Sequence, residues 1–180
     1  GDTSSSVTAK KVKITPTTGN RLDLKGASTI ADQILLETSN GLNIKCNDVG
    51  VSLTNSLIKQ NNTTGNRYGQ TWGKFGTFKG NTVIITGLNG RSANAVDCHT
   101  SILASGVPKN CIFATDDTAN NVINSSDQTD ANSTNCCFHQ FGSSNTSGGT
   151  NNVFADPLFV DATSDYRLRP SSPCINAGTT

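Results

Sequence analysis

The stretch NRLDLK, residues 20–25, sets Arg21, Asp23 and Lys25 two residues apart, with Leu22 and Leu24 between them. On an extended strand that spacing puts three charged groups on one face and two leucines on the other. A basic side chain that can take a proton, beside a carboxylate and a second cation, is equipment for general acid–base chemistry. The same alternation is what any half-buried strand shows. Arg21, Asp23 and Lys25 are therefore catalytic candidates by type and spacing alone.

A second stretch points to binding. NRYGQTWGKFGTFKG, residues 66–80, holds Tyr68, Trp72, Phe75 and Phe78 among glycines, with Arg67, Lys74 and Lys79 interleaved. These are four of the chain's ten aromatics and include its one Trp. Aromatic faces stack on sugar C–H faces while neighbouring polar groups reach hydroxyls. Tyr68, Trp72, Phe75, Arg67 and Lys74 are the candidate ligand-binding residues of a Gly-rich loop. The alternative is a loop that folds back and buries its own aromatics, or one that meets a neighbouring subunit.

Acidic groups give less. Hydrolysis of a glycosidic bond calls for two carboxylates at a set separation. Asp116 and Asp117 are adjacent, so on a strand they face opposite ways and cannot form that pair. In a turn both could hold a calcium ion, or simply be solvated. Asp127 and Asp130 fall in a run of turn formers, and His99 and His139 have no partner in the sequence. Nucleophile motifs, phosphate loops and zinc-ligand spacings are missing, so no cofactor is implied beyond that calcium option.

The elements that would carry these residues must be short. Asn (21), Ser (19), Thr (24) and Gly (17) make up close to half of the 180 residues, while 33% are hydrophobic and the formal net charge is +1. Disorder at such polarity usually comes with high net charge. Clusters such as VSL (51–53), VII (83–85) and CIF (111–113), bounded by Asn, Gly, Ser or Asp, instead describe an all-β chain with many turns. Near-neutral charge argues against a nucleic-acid partner, and no run approaches the roughly 20 apolar residues of a membrane span. Six cysteines without a CxxC pair suggest an oxidising compartment with one or more disulfides, or small buried core residues. ASTIADQILLETSN (27–40) reads either as a helix or as two strand fragments.

An internal repeat organises the clusters. Asn, a small residue and two apolar ones recur as NSLI from Asn55, NTVI from Asn81, NCIF from Asn110 and NCCF from Asn135, at intervals of 26, 29 and 25 residues. That length suits three short strands and three turns, one coil of a parallel β-helix. Stacking would bring the four asparagines into register as a ladder. A stack of this kind needs a distinct closing segment, and NVFADPLFVDATSDYRLRPSSPCINAG (152–178), with Pro157, Pro170 and Pro173, has that character.

The elements DPLFVD (156–161), DYRL (165–168) and SPCINAG (172–178) resemble the C-terminal signature of pectate-lyase-like right-handed parallel β-helix proteins, especially surface-anchored bacterial ones. Cys174 and Asn176 depart from the usual pattern, where a small residue and Asp are common. The resemblance implies a right-handed parallel β-helix of about five to seven coils in an extracellular, secreted or surface setting. Residues 1–11 would form a flexible N-terminal extension, 12–151 the coils, and 152–180 the C-terminal coil and cap. The chain then starts after processing or belongs to something longer. Its function would be non-catalytic, binding a polysaccharide or cell-surface glycan or mediating attachment. The alternatives are a polysaccharide lyase or glycoside hydrolase of that group, and a virion fibre or decoration protein acting as a homotrimer or within a larger assembly.

Overall fold

The run SLTNSLIKQN, residues 52–61, contains the local rule of the architecture. Ser52–Thr54 is strand β7 and Leu57–Asn61 is strand β8. Along both, the side chains alternate with a period of two, and Leu53, Ile58 and Gln60 are buried. Between the strands Asn55 takes φ 48° and Ser56 is buried. A left-handed residue turns the chain sharply, and Asn tolerates that conformation better than most L residues. The two strands therefore join different sheets.

The computed structural model describes residues 7–14, 22–24, 28–39, 43–46, 50–61, 70–73, 76–87, 108–115, 133–139 and 149–178. The same two-residue corner separates β1 (Val7–Lys10) from β2 (Lys13–Ile14), and β4 (Thr29–Asp32) from β5 (Leu35–Ser39). It recurs between β10 (Thr77–Lys79) and β11 (Thr82–Thr86), and between β12 (Pro108–Lys109) and β13 (Ile112–Thr115). It also precedes β14 (Cys137–His139) and β15 (Val153–Phe154). Lys11, Gln33, Asn55, Gly80, Asn110, Asn135 and Asn151 take the first corner position, with φ between 48° and 68°.

Strands before the corner form one parallel sheet, ordered β1-β4-β7-β10-β12, and strands after it form a second, ordered β15-β14-β13-β11-β8-β5-β2. A third parallel sheet joins β3 (Leu22–Leu24), β6 (Asn43–Cys46) and β9 (Gln70–Gly73). Each successive segment of chain adds one strand at the edge of a growing sheet, so neighbours in space are one segment apart in sequence. The chain is all-β, and no helix occurs among the described residues. Residues 28–39 of the ambiguous stretch are two strands split at Gln33, whose φ of 56° ends any helical continuation.

The core lies between the first two sheets. Ala31, Leu53, Phe78 and Pro108 share one row of the first sheet. Leu36, Ile58, Val83, Phe113 and Phe138 share one row of the second. All nine are buried. Phe113 and Phe138 stack at 5.3 Å and 8°, and Phe138 and Phe154 at 5.5 Å and 16°. Parallel in-register pairing dictates this, because identical positions repeat at one strand spacing, about 4.8 Å.

The expected asparagine register is corrected by one residue. Strand pairing aligns Leu57 with Thr82, Ile112 and Cys137. Gly80 therefore stands in the row of Asn55, Asn110 and Asn135, and Asn81 stands in the inner row with Ser56, Cys111 and Cys136. An added Cβ at Gly80 would lie 2.7 Å from the Asn55 Oδ1. The four asparagines of the repeat are not one ladder.

That inner row has its own logic. Backbone bonds supply the first corner N–H, as in Asn55 N to Lys79 O at 3.0 Å, and the N–H after the corner, as in Leu57 N to Ile34 O at 2.9 Å. The N–H of the second corner residue falls between them. Ser56 Oγ accepts the Ile34 N–H at 3.1 Å, Asn81 Oδ1 accepts that of Ser56 at 3.0 Å, and Asn152 Oδ1 accepts that of Cys136 at 3.0 Å. The Cys111 thiol likewise bonds with the Asn81 backbone, and the Cys136 thiol with the Cys111 backbone. From Ser56 onward the row carries side chains with an acceptor, because a buried N–H left alone is costly, whereas Val12 and Ile34 at its start carry none.

Two further expectations change. Val7–Lys10 is not an extension: it forms β1, paired with β4 from Val7↔Thr29 to Lys10↔Asp32. Within 152–180, β15 ends the second sheet, and the chain then forms an antiparallel hairpin of β16 (Phe159–Asp161) and β17 (Asp165–Leu168). Phe159, Tyr166 and Leu168 pack on Leu57, Ile84, Ile112 and Ala114. These lie on the outer face of the second sheet, so the hairpin runs alongside the stack. Phe154, the last member of the aromatic row, remains 52% exposed.

Candidate functional site

The third sheet brings together residues that are far apart in sequence. Register pairs Asp23 on β3 with Lys45 on β6, and Lys45 with Trp72 on β9. Asp23 was a catalytic candidate and Trp72 a binding candidate, so one row of three parallel strands unites the two. Adjacent strands are about 4.8 Å apart, which puts the Asp23 and Trp72 backbones roughly 10 Å from each other. Lys45 is the link that sequence reasoning left unconnected. Its signal was the likeness of LNIKC (42–46) to RLDLK (21–25) in apolar alternation.

Trp72 lies on a strand rather than in a loop, since Gln70–Gly73 is β9. Phe78 is core: it is 2% exposed and stacked on Phe113 at 6.5 Å and 7°. The segment thus contributes Gln70–Gly73 to the third sheet and Thr77–Lys79 to the first. Arg21, Lys25, Arg67, Tyr68, Lys74, Phe75, Asp116 and Asp117 lie outside the described residues. Among the described residues, no group of three or more His, Cys, Asp or Glu could hold a metal ion.

A second feature arises where the hairpin meets the corner. An open cleft of ≈ 320 Å³ lies between Asn55, Gly80 and Thr82 on one side and Ser164–Arg167 on the other. Asn55 Nδ2 donates to Asp32 Oδ1 at 2.9 Å, and Thr54 Oγ1 donates to the same oxygen at 2.8 Å. These two donors hold the Asp32 carboxyl below its ordinary range. Across the cleft, Arg167 Nε reaches Asp165 Oδ1 at 2.9 Å and Oδ2 at 3.0 Å, which lowers the Asp165 carboxyl in turn. The Tyr166 hydroxyl donates to Thr163 O at 3.1 Å, and Lys59 Nζ stands 5.2 Å from its ring centroid.

Chemically the cleft offers a planar Arg–Asp pair, a tyrosine ring and small hydroxyls. Its carboxylate, Asp165, is committed to Arg167, so proton transfer is a poor use for it, while recognition of a polar ligand suits it. Sequence reasoning read Arg167 and Arg169 as part of the closing structure. The cleft was missed because it depends on where the hairpin docks.

No protein-family model matches the chain, and no curated protein or solved structure matches it. Among the described residues, no helix is long and apolar enough to cross a membrane.

Proposed function

We propose that this chain is a right-handed parallel β-helix module of extracellular or surface setting that binds carbohydrate without transforming it. Three parallel sheets that each gain a strand from successive segments support the coil architecture. The observation that carries the binding reading is the row Asp23–Lys45–Trp72. Register thus places a Trp, a Lys and an Asp at one position of three adjacent strands, residue types that stack on sugar rings and hydrogen-bond their hydroxyls.

A lyase reading uses the same row, with Asp23 and Lys45 as neighbours, and one experiment separates the two. A panel of acidic and neutral polysaccharides is run through affinity gels and then sized after incubation with the protein and calcium. We expect retention by at least one glycan, unshortened polymer, and at least about tenfold weaker retention by Trp72→Ala with its melting transition intact. Shortened polymer would establish an enzyme. No retention by any glycan would remove the binding reading.

A further inference from the structure

Two thiols meet at the seam between the second sheet and the C-terminal segment. Cys137 opens β14 in register with Ile112 and Val153, and it is 3% exposed. Cys174 is half-buried in the turns that follow β17. The two side chains hydrogen-bond to each other. Each is also held from behind: the Cys137 thiol donates to Ala155 O at 3.4 Å, and Ser172 Oγ accepts the Cys174 N–H at 3.1 Å. Ser172 is itself anchored, 6% exposed with its hydroxyl on Pro157 O at 2.6 Å. Two thiols 37 positions apart in sequence thus meet side by side at this seam.

We infer that Cys137 and Cys174 form a thiol–disulfide site that reacts with a low-molecular-weight disulfide and fastens the C-terminal segment to the second sheet. Cys174 is the entering nucleophile. It is the more accessible of the two, and its contact with Cys137 brings its thiol down to about 7. The hydrogen bond to Cys174, with burial, pushes the Cys137 thiol up. The Cys174 thiolate attacks one sulfur of the small disulfide and expels the first small thiol. Cys137 then gives up its proton, attacks the Cys174 sulfur of the mixed disulfide and expels the second. The protein pair loses two electrons and two protons, and the small disulfide leaves as two thiols.

Cys111 and Cys136 also adjoin each other, yet each is 1% exposed in the inner corner row and is occupied there as a hydrogen-bond partner of the backbone. A small disulfide in solvent does not reach them in the folded chain. Selectivity between the two pairs is therefore part of the inference.

The test is to incubate the folded full chain with oxidised glutathione, quench with acid, alkylate and map the peptides by mass spectrometry. We expect a Cys137–Cys174 linked peptide, Cys111 and Cys136 alkylated only after unfolding, and a Tm about 5–10 °C above that of the reduced chain. Cys137→Ser should stop at a glutathione adduct on Cys174, and Cys174→Ser should give neither link nor adduct at Cys137. A wild-type chain that halts as the Cys174 adduct, or links either cysteine elsewhere, overturns the inference. The peptide map of the wild-type chain decides this even if a variant fails to fold.

Discussion

The Asn81 side chain stands in for backbone at the corner below it, accepting the Ser56 N–H on Oδ1 at 3.0 Å and donating from Nδ2 to Leu53 O at 2.9 Å. It is 1% exposed, so water cannot replace either bond without opening the core. Asn81→Ala would leave one donor and one acceptor unsatisfied, at about 1–3 kcal/mol each. We expect a total loss of about 2–4 kcal/mol, read from the shift in urea midpoint at constant m. Asn81→Ser keeps an acceptor of the kind found at Ser56 and should recover part of it. A loss below about 0.5 kcal/mol for the alanine variant would show that these bonds do not hold the corner.

The same corner explains how far the sequence could be read. What repeats is a conformation: a left-handed residue, then, from Ser56 onward, an inward residue able to accept an N–H. Asn55, Gly80, Asn110 and Gln33 all satisfy the first requirement, and Ser56, Asn81 and Cys111 all satisfy the second. Matching by the letter Asn finds the period and slips by one at Gly80–Asn81, because Asn suits both positions. Short strands bounded by turn formers were legible, since they depend on local pattern, with period-two alternation clear at Leu57–Asn61. The row Asp23–Lys45–Trp72 was not legible, because its register depends on how much chain is spent between β6 and β9. The hairpin's position was equally hidden. DPLFVD and DYRL predict a closing segment, while only packing of Phe159 and Tyr166 on Leu57 and Ile112 decides which surface it closes.

The aromatic row gives a graded prediction. Phe113 is fully buried and stacked on both Phe78 and Phe138, whereas Phe154 ends the row at 52% exposure. Phe113→Ala removes the ring from the middle of a close-packed column and should cost about 3–5 kcal/mol. Phe154→Ala loses contact on one side only and should cost about 1 kcal/mol or less. Equilibrium denaturation of the two variants checks the order, and equal losses would show that the stack is not the core.

Asp161 sets the acid limit of the hairpin. Its Oδ1 accepts from Thr163 N at 2.8 Å and from Thr163 Oγ1 at 2.7 Å, and its Oδ2 accepts from Ser164 Oγ at 2.7 Å. These bonds, the Thr163 hydroxyl first, hold the carboxyl at about 2, against roughly 3.9 for an unfolded aspartate. A depressed folded pKa contributes stability that is whole above the unfolded value and fades as pH falls through the folded one. Loosening of the hairpin should thus set in below about pH 4 and be complete only below about pH 2, visible in the ring resonances of Tyr166, which packs against Phe159 at 5.2 Å. Asp161→Asn should weaken the turn at neutral pH and flatten that acid dependence. Some slope should persist, because Arg167 depresses the Asp165 carboxyl in the same hairpin. An unchanged acid profile in Asp161→Asn would mean that the Thr163 and Ser164 bonds do not stabilise the turn.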